Sequence, residues 1–414
     1  MAHRFIPFLF LITSLLYSAI CFSQSHDLNY YLQNGSENSP LLRDYTNQLQ
    51  RNKIDSLLIL AGRKIVLSAT GQIIIAPIIN GYGYDEAITN KGQYTAVVGI
   101  RKTLLQKNYF AAQNNRLRLR SDSLLTNQLV SRRTLEKAIT DQYLNSYDTL
   151  LQIKFQEQVI ASLENQLILL EPLVRNGIYL QTDYLTLKLQ IQTEKINLQL
   201  LKDGYRSTIY VLNALSGIFD TTVFQVPSPN LIWKTSTASV NPNLILFSLD
   251  SLSIEASKSL LKYNYVPKLN LWGDAGYQAI PADPTFKKFG FSAGVSFDWI
   301  ISDGGQRNLR LQQLNIQQQN GKFYRNFYRT QYSLQLANLE KKIQSSNSIV
   351  ALWQEELKDM NLLMLMRRQQ LVSGQLSIID YLAAMRAYRD LQQKLNSAVI
   401  QQQRIINEHN FLVW

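Results

Sequence analysis

The chain has 414 residues, 46% of them hydrophobic and 17% charged, with a formal net charge of +12 from 42 Lys+Arg and 30 Asp+Glu. That length would hold two or three ordinary domains, but few charges beside abundant Leu, Gln and Asn suit long helices better than an enzyme core. The basic balance raises nucleic acid as a partner; it is set aside because the charges read as spread along helices, no nucleic-acid motif occurs, and an exported chain does not meet nucleic acid.

Residues 1–24 read as a secretory signal peptide. Met1 to Arg4 carries one Arg and one His, Phe5 to Ile20 is almost uniformly apolar, and Ser18 to Ser23 offers small residues for a cut before Gln24 or Ser25. The apolar run is too short for a comfortable membrane span. The one cysteine, Cys21, lies inside or at the edge of this segment, so neither disulfides nor thiol chemistry are expected in the exported chain. Lipidation of Cys21 is the alternative, with the bulky Ile20 before it as the feature against.

Residues 25–225 and 226–414 read as two copies of one unit. A short helical stretch follows Ser39-Pro40 (Leu41 to Leu60) and another follows Asn241-Pro242 (Leu244 to Leu261); the two Pro landmarks are 202 residues apart. Each stretch leads into two β-like segments, about 64–84 and 93–101 in the first half and about 268–277 and 289–300 in the second. Then come long runs without Gly or Pro, Ile100 to Glu171 and Lys322 to Ser373. The first, 72 residues, would reach roughly 108 Å as one helix. Its apolar positions, among them Leu117, Leu124, Leu135, Ile139, Leu150, Val159, Leu163 and Leu170, recur at helical spacing, as in helices packed like coiled coils.

Each run ends at one repeated phrase, Gly177-x5-Asp183-Tyr184-Leu185 and Gly374-x5-Asp380-Tyr381-Leu382, 197 residues apart. A period this long means duplication of a whole folding unit and not a solenoid of short repeats. Gly177 and Gly374 sit where a helix reversal needs a backbone without Cβ, Pro172 helps to end the first incoming helix, and partner helices return over Ile178 to Asp203 and Gln375 to Trp414. Plain hairpin turns without a binding role remain the simpler reading of both phrases.

The last β-like segment alternates Phe289, Phe291, Ala293, Val295, Phe297 and Trp299 with Gly290, Ser292, Gly294, Ser296 and Asp298, which gives one face for oil and one for water. Leu269, Leu271, Ala275 and Tyr277 continue the pattern opposite Asn270 and Asp274, across a loop with Pro281 and Pro284. In the first half the alternation is poorer, because Ile73, Ile74, Ile75, Ile78 and Ile79 fall on both faces. Strands of about ten residues with one apolar face match outer-membrane barrel strands. Four strands cannot close a barrel, and an open edge is excluded from hydrocarbon, so spanning a membrane forces oligomerisation. A trimer with about twelve strands is the simplest closure. A small soluble β domain on a helical stalk is the other reading.

No catalytic constellation is present. His3, His26 and His409 have no ligand-spaced partner, which argues against a transition-metal site. Gly81-Tyr82-Gly83 lacks a third glycine and a following helix and reads as a turn, and no Walker-type Gly-Lys-Ser/Thr exists. Neither an enzyme nor a cofactor is expected. The aromatic stripe Phe323, Tyr324, Phe327, Tyr328 and Tyr332 reads as core between helices or as interfacial anchors.

Taken in order, the duplicated strand-strand-helix halves, the two Gly-x5-Asp phrases and Ile301-Ser302-Asp303-Gly304-Gly305-Gln306-Arg307 after the last strand resemble the TolC family of outer-membrane efflux proteins over essentially the whole exported chain. The last segment is similar to the family's Asp-Gly-Gly-Arg segment. The resemblance implies a mainly α fold with a small antiparallel β part: an α-helical barrel crossing the periplasm, joined to a share of a trimeric twelve-stranded barrel in the outer membrane. It implies a homotrimer working with a periplasmic adaptor and an inner-membrane pump in efflux or type I secretion. It further implies that Gly177 and Gly374 lie in adaptor-docking turns, and that Asp183 and Asp380 belong to the gate, with Asp380 lining the entrance. The pattern departs from the best-known member at three places, where Leu371 and Leu376 replace a gate Tyr and Arg and Ala383 replaces a second entrance carboxylate. A structural or adhesive coiled-coil envelope protein without transport is the rival from another class, and drug, metal, polysaccharide or protein cargo stays open.

Overall fold

The computed structural model describes residues 26–85, 92–104, 107–235, 241–279 and 288–413; the expected signal segment with Cys21, and Pro281 and Pro284 of the expected loop, lie outside them. The order is α1 (Leu28–Asn38), α2 (Pro40–Ala61), β1 (Val66–Ile75), β2 (Gly92–Leu104), α3 (Lys107–Arg175), α4 (Gln181–Leu215), α5 (Pro242–Asn264), β3 (Lys268–Ala279), β4 (Phe289–Asp298), α6 (Gln306–Val372) and α7 (Ile378–Leu412). The run from α2 to α4 is repeated from α5 to α7. The long helices have 69 and 67 residues and the returning ones 35 each, so the mainly α class with a small antiparallel sheet is the one the chain adopts.

The chain divides into two compact units. One holds residues 43–130 and 240–331, the other the remainder. The first unit contains 22 of the 42 basic residues but only 11 of the 30 acidic ones. The basic excess is therefore concentrated in this unit, most of it along its helices.

In this first unit the four strands form one antiparallel sheet in the order β1-β2-β3-β4. The register puts Leu269 opposite Phe297, Leu271 opposite Val295, Ala275 opposite Phe291 and Tyr277 opposite Phe289. It carries the same face through Val98 and Ile100 to Leu67 and Ile73. The other face takes Asn270, Asp274, Ser292, Ser296 and Asp298, joined by bonds such as Ser292 Oγ to Asp274 Oδ1 (2.6 Å) and Asn270 Nδ2 to Asp298 Oδ2 (2.9 Å). The strand period of two accounts for this sorting.

The first half is better ordered than its isoleucines suggest. β1 stops at Ile75, so Ile78 and Ile79 never enter the alternation. Ile79 and Tyr82 instead exchange main-chain bonds of 3.0 and 2.9 Å around Asn80 (φ 53°) and Gly81 (φ 85°). Positive φ at both central residues is what a type I′ hairpin turn demands, and Asn-Gly supplies it.

After β4 the Asp-Gly-Gly segment starts α6. Asp303 accepts from the Gly305 and Arg307 amides (3.0 and 2.7 Å) and from the Tyr265 hydroxyl (2.6 Å), while Gly304 and Gly305 take φ of 66° and 83°. The Tyr265 bond first, then those amides, hold the Asp303 carboxyl below its usual range. Beside the sheet, α2 is tied to α3 by Asn52 Nδ2 on the Leu117 carbonyl (2.6 Å), and Leu119 packs with Leu249 and Ala256 of α5.

In the second unit α1, α3 and α4 share a core of Tyr31, Ile139, Tyr143, Leu150, Ile153, Ile209 and Leu212. Each such large apolar side chain contributes about 1.5–3 kcal/mol on burial. An extended segment after α4 is fastened by Tyr205, whose hydroxyl donates to the Phe224 carbonyl (2.6 Å) and accepts from the Val226 amide (3.1 Å). α3 continues through Pro172, whose carbonyl takes the Asn176 amide at 3.0 Å; Pro172 thus lies inside the last turn instead of marking the helix end. The aromatic stripe of α6 is split: Phe323, Tyr324 and Phe327 are exposed, whereas Tyr332 donates to the Leu412 carbonyl at 3.3 Å.

Candidate functional site: the paired helical turns

Both repeated phrases fold in one way. At the end of α3, Gly177 has φ 73°, its amide bonds the Val174 carbonyl (3.0 Å) and the Ile178 amide bonds the Leu173 carbonyl (3.0 Å). At the end of α6, Gly374 has φ 74°, its amide bonds Leu371 (3.1 Å) and the Gln375 amide bonds Gln370 (2.9 Å). These are two Schellman caps, in which a left-handed residue lets orphan helix carbonyls find donors.

Three residues after each glycine stands the N-cap of the next helix, Leu180 or Ser377, and three further on stands the aspartate. Asp183 Oδ2 accepts from the Leu180 amide at 3.0 Å. Asp380 Oδ2 accepts from the Ser377 hydroxyl at 2.7 Å, and Ser377 Oγ accepts from the Asp380 amide at 3.1 Å. The carboxylates therefore close the first turns of α4 and α7, where the helix dipole also favours them. The Gly-x5-Asp spacing is the length of a helix stop followed by a helix start.

The structure brings the two turns together. A Cβ placed on Gly374 would lie 2.9 Å from Ile178 Cγ2, whereas one on Gly177 would meet nothing within 4 Å. Tyr179, two residues after Gly177, sends its hydroxyl between the carbonyls of Leu371 (2.8 Å) and Leu376 (2.6 Å). Leu371 and Leu376, where a gate Tyr and Arg were expected, are buried with Leu163, Leu187, Ile378 and Tyr381 in a shared core. Around the turns Ile178, Leu180 and Ile379 are exposed. Asp183 is half-buried and Asp380 exposed, each bonded within its own turn. Ala383 is exposed.

Sequence reasoning missed a second feature next to this core. Glu194 of α4 is 2% exposed. Its carboxylate meets Arg389 Nη1 of α7 (3.0 Å), Gln156 Nε2 of α3 (2.7 Å), Gln190 Nε2 (2.6 Å) and Asn197 Nδ2 (3.2 Å). Burial works to raise its pKa, but the bonds from Gln156 and Asn197, the charge of Arg389 and the bond from Gln190 outweigh it and hold the group below its usual range. A lone Glu in a polar helical run gave no signal of this. Tyr179 did leave one, since its counterpart in the second phrase is Leu376. No group of three or more metal-ligating side chains exists among the described residues, and no described helix is long and apolar enough to cross a membrane.

No protein-family model matches this chain, and no curated protein does. Among solved structures it is similar to CusC, described as forming a transmembrane channel, at TM-score 0.77 and 14% identity over 94% of this chain and 92% of that one. It is similar to the outer-membrane protein VceC of Vibrio cholerae at TM-score 0.72 and 14% identity, covering 93% and 94%. The open state of the outer-membrane channel MtrE of Neisseria gonorrhoeae follows at TM-score 0.69 and 12% identity, covering 93% and 88%. The fold is that of the TolC-like outer-membrane channels, as the order of its repeated phrases and strands implies.

Proposed function

We propose that three copies of this chain form an outer-membrane channel extending into the periplasm, a passive exit duct for an efflux or type I secretion machine. The observation that carries the reading is the sheet. Four antiparallel strands expose an apolar face, with Phe291 89% and Ile75 76% accessible, and among the described residues no further strand pairs with the outer edges of β1 and β4. In water that face is unfavourable and invites aggregation; in hydrocarbon it is at home once neighbouring copies satisfy the edges. The basic excess of the same unit suits lipid phosphates. Kinship of fold with proteins described as outer-membrane channels agrees.

The paired turns are then the periplasmic end, closed when alone and opened when an adaptor joined to an inner-membrane pump docks on Gly177, Gly374 and the exposed Ile178, Leu180 and Ile379. Asp380 lines the entrance with its two copies as a cation-attracting ring, and Asp183 belongs to the same gate. The pump selects the cargo. To test this, the full chain is extracted from envelopes and fused with planar bilayers. A species that requires detergent and gives discrete conductance steps is expected; a protein that leaves the envelope without detergent and conducts nothing refutes the reading and favours a structural stalk.

A further inference from the structure

We infer that Tyr179 is the latch of the closed tip: carried by the first turn, its phenol grips the end of α6 and the second turn through their main-chain carbonyls. The inference rests on the channel reading and adds a gating residue to it. The geometry is direct, with the hydroxyl oxygen 2.8 Å from Leu371 O and 2.6 Å from Leu376 O. One phenolic proton serves both acceptors, so it bonds one of them at a time or is shared between them. Tyr179 is 9% exposed and packs in the core that holds Leu371, Leu376 and Ile378.

Three features make this a device and not incidental packing. The bond joins the two repeats, 192 and 197 residues apart in the chain. Its acceptors straddle Gly374, so the turn is held on both sides of its left-handed residue, while Ile178 closes on Gly374 from the neighbouring position. Because the acceptors are backbone atoms, the latch needs no polar side chain from the second turn, and leucines at 371 and 376 are compatible with a closed gate. The two phrases are equivalent in fold but not in reach, since the residue that matches Tyr179 is Leu376. Burial first, and the Asp183 carboxylate second, raise the Tyr179 pKa, which keeps the donor protonated.

The test is Tyr179→Phe, which keeps the ring and removes the donor, in the full chain reconstituted in bilayers without partner proteins. A neutral hydrogen bond lost from the closed state shifts the open–closed balance by about threefold to tenfold per protomer. The variant is therefore expected to spend several-fold more time open at unchanged open conductance. Tyr388→Phe, altering a tyrosine packed against the same core, should gate as the wild type does. A second readout is a short cross-linker between Ile178→Cys and Gln375→Cys, whose yield should fall several-fold when Tyr179→Phe is added. If gating and cross-linking are both unchanged, the latch is wrong. If the wild-type chain conducts nothing, the channel reading fails by itself, and the cross-link yield still decides whether Tyr179 holds the turns together.

Discussion

The observed bond of Asp380 to Ser377 and its proposed place at the entrance can be separated by one substitution. The Asp380 carboxylate accepts from the hydroxyl of the N-cap Ser377, which in turn accepts from the Asp380 amide, and in the proposed trimer it meets two copies of itself. Asp380→Ala removes the acceptor of the Ser377 hydroxyl and the charge but keeps the main-chain amide that caps on Ser377 Oγ, whereas Asp380→Asn keeps an acceptor for Ser377 and removes only the charge. The alanine variant should lose about 1 kcal/mol of stability in thermal unfolding, the size of one net hydrogen bond, and the asparagine variant a smaller part of it. Both should weaken block by a trivalent cation equally in bilayer recordings, with at most a modest rise in leak. Full block retained by Asp380→Asn would remove Asp380 from the entrance. Glu194 offers a pH-dependent counterpart. Its lowered pKa means that its network stabilises the fold above the pKa of an unfolded Glu, about 4.3, and that this contribution is lost as pH falls through the lower folded value. Glu194→Gln should therefore flatten the acid limb of the stability profile measured by circular dichroism. Arg389→Met, which strands a buried carboxylate, should cost about 3 kcal/mol near neutral pH; a loss within 0.5 kcal/mol, roughly the reach of a surface change, would show that the pair is not coupled.

At the scale of elements, the turns that look alike in sequence differ in tolerance. Gly177→Ala and Gly374→Ala both place a Cβ at positive φ, which costs about 1–2 kcal/mol, but only the second also drives it against Ile178. Thermal unfolding should rank Gly374→Ala as the more damaging change, and Ile178→Ala in the same chain should return part of the difference. Equal losses at the two glycines would mean that Ile178 does not press on position 374. Why these elements could be read in advance is also physical. Long helices announce themselves through the absence of Gly and Pro, β3 and β4 through strict alternation, and duplication through phrases that keep their spacing because a Schellman stop and a capped start have a fixed length. The end of β1 was hidden, since Ile73 to Ile79 contains both strand and approach to a turn and only Asn80-Gly81 marks the change. The network of Glu194 was hidden for another reason, since polar side chains on a helix do not declare which of them face a neighbour; the clasp of Tyr179 also joins residues far apart in the chain and was marked only by its mismatch with Leu376.

For the whole molecule the decisive question is what meets the outer edges of β1 and β4. Inside one chain every strand pair is antiparallel and in register, and β2 pairs with β3 across the boundary between the repeats. Placing β4 of one copy beside β1 of the next would extend that alternation around a ring without changing its logic, and three copies would give about twelve strands, enough to close. Ser68 and Ser292 both lie on the polar face, and the sequence has no cysteine outside Cys21, so cysteines introduced at these two places report on this junction with little background. In the variant carrying both Ser68→Cys and Ser292→Cys, a cross-linker of moderate length applied to envelopes should give a ladder that stops at three chains after denaturation, and either substitution alone should give no ladder. Cross-linking confined within single chains would mean that β1 and β4 of one copy approach each other, and the membrane argument would then need another closure. A ladder continuing past three would keep the sheet in the membrane but replace the trimer with a larger ring.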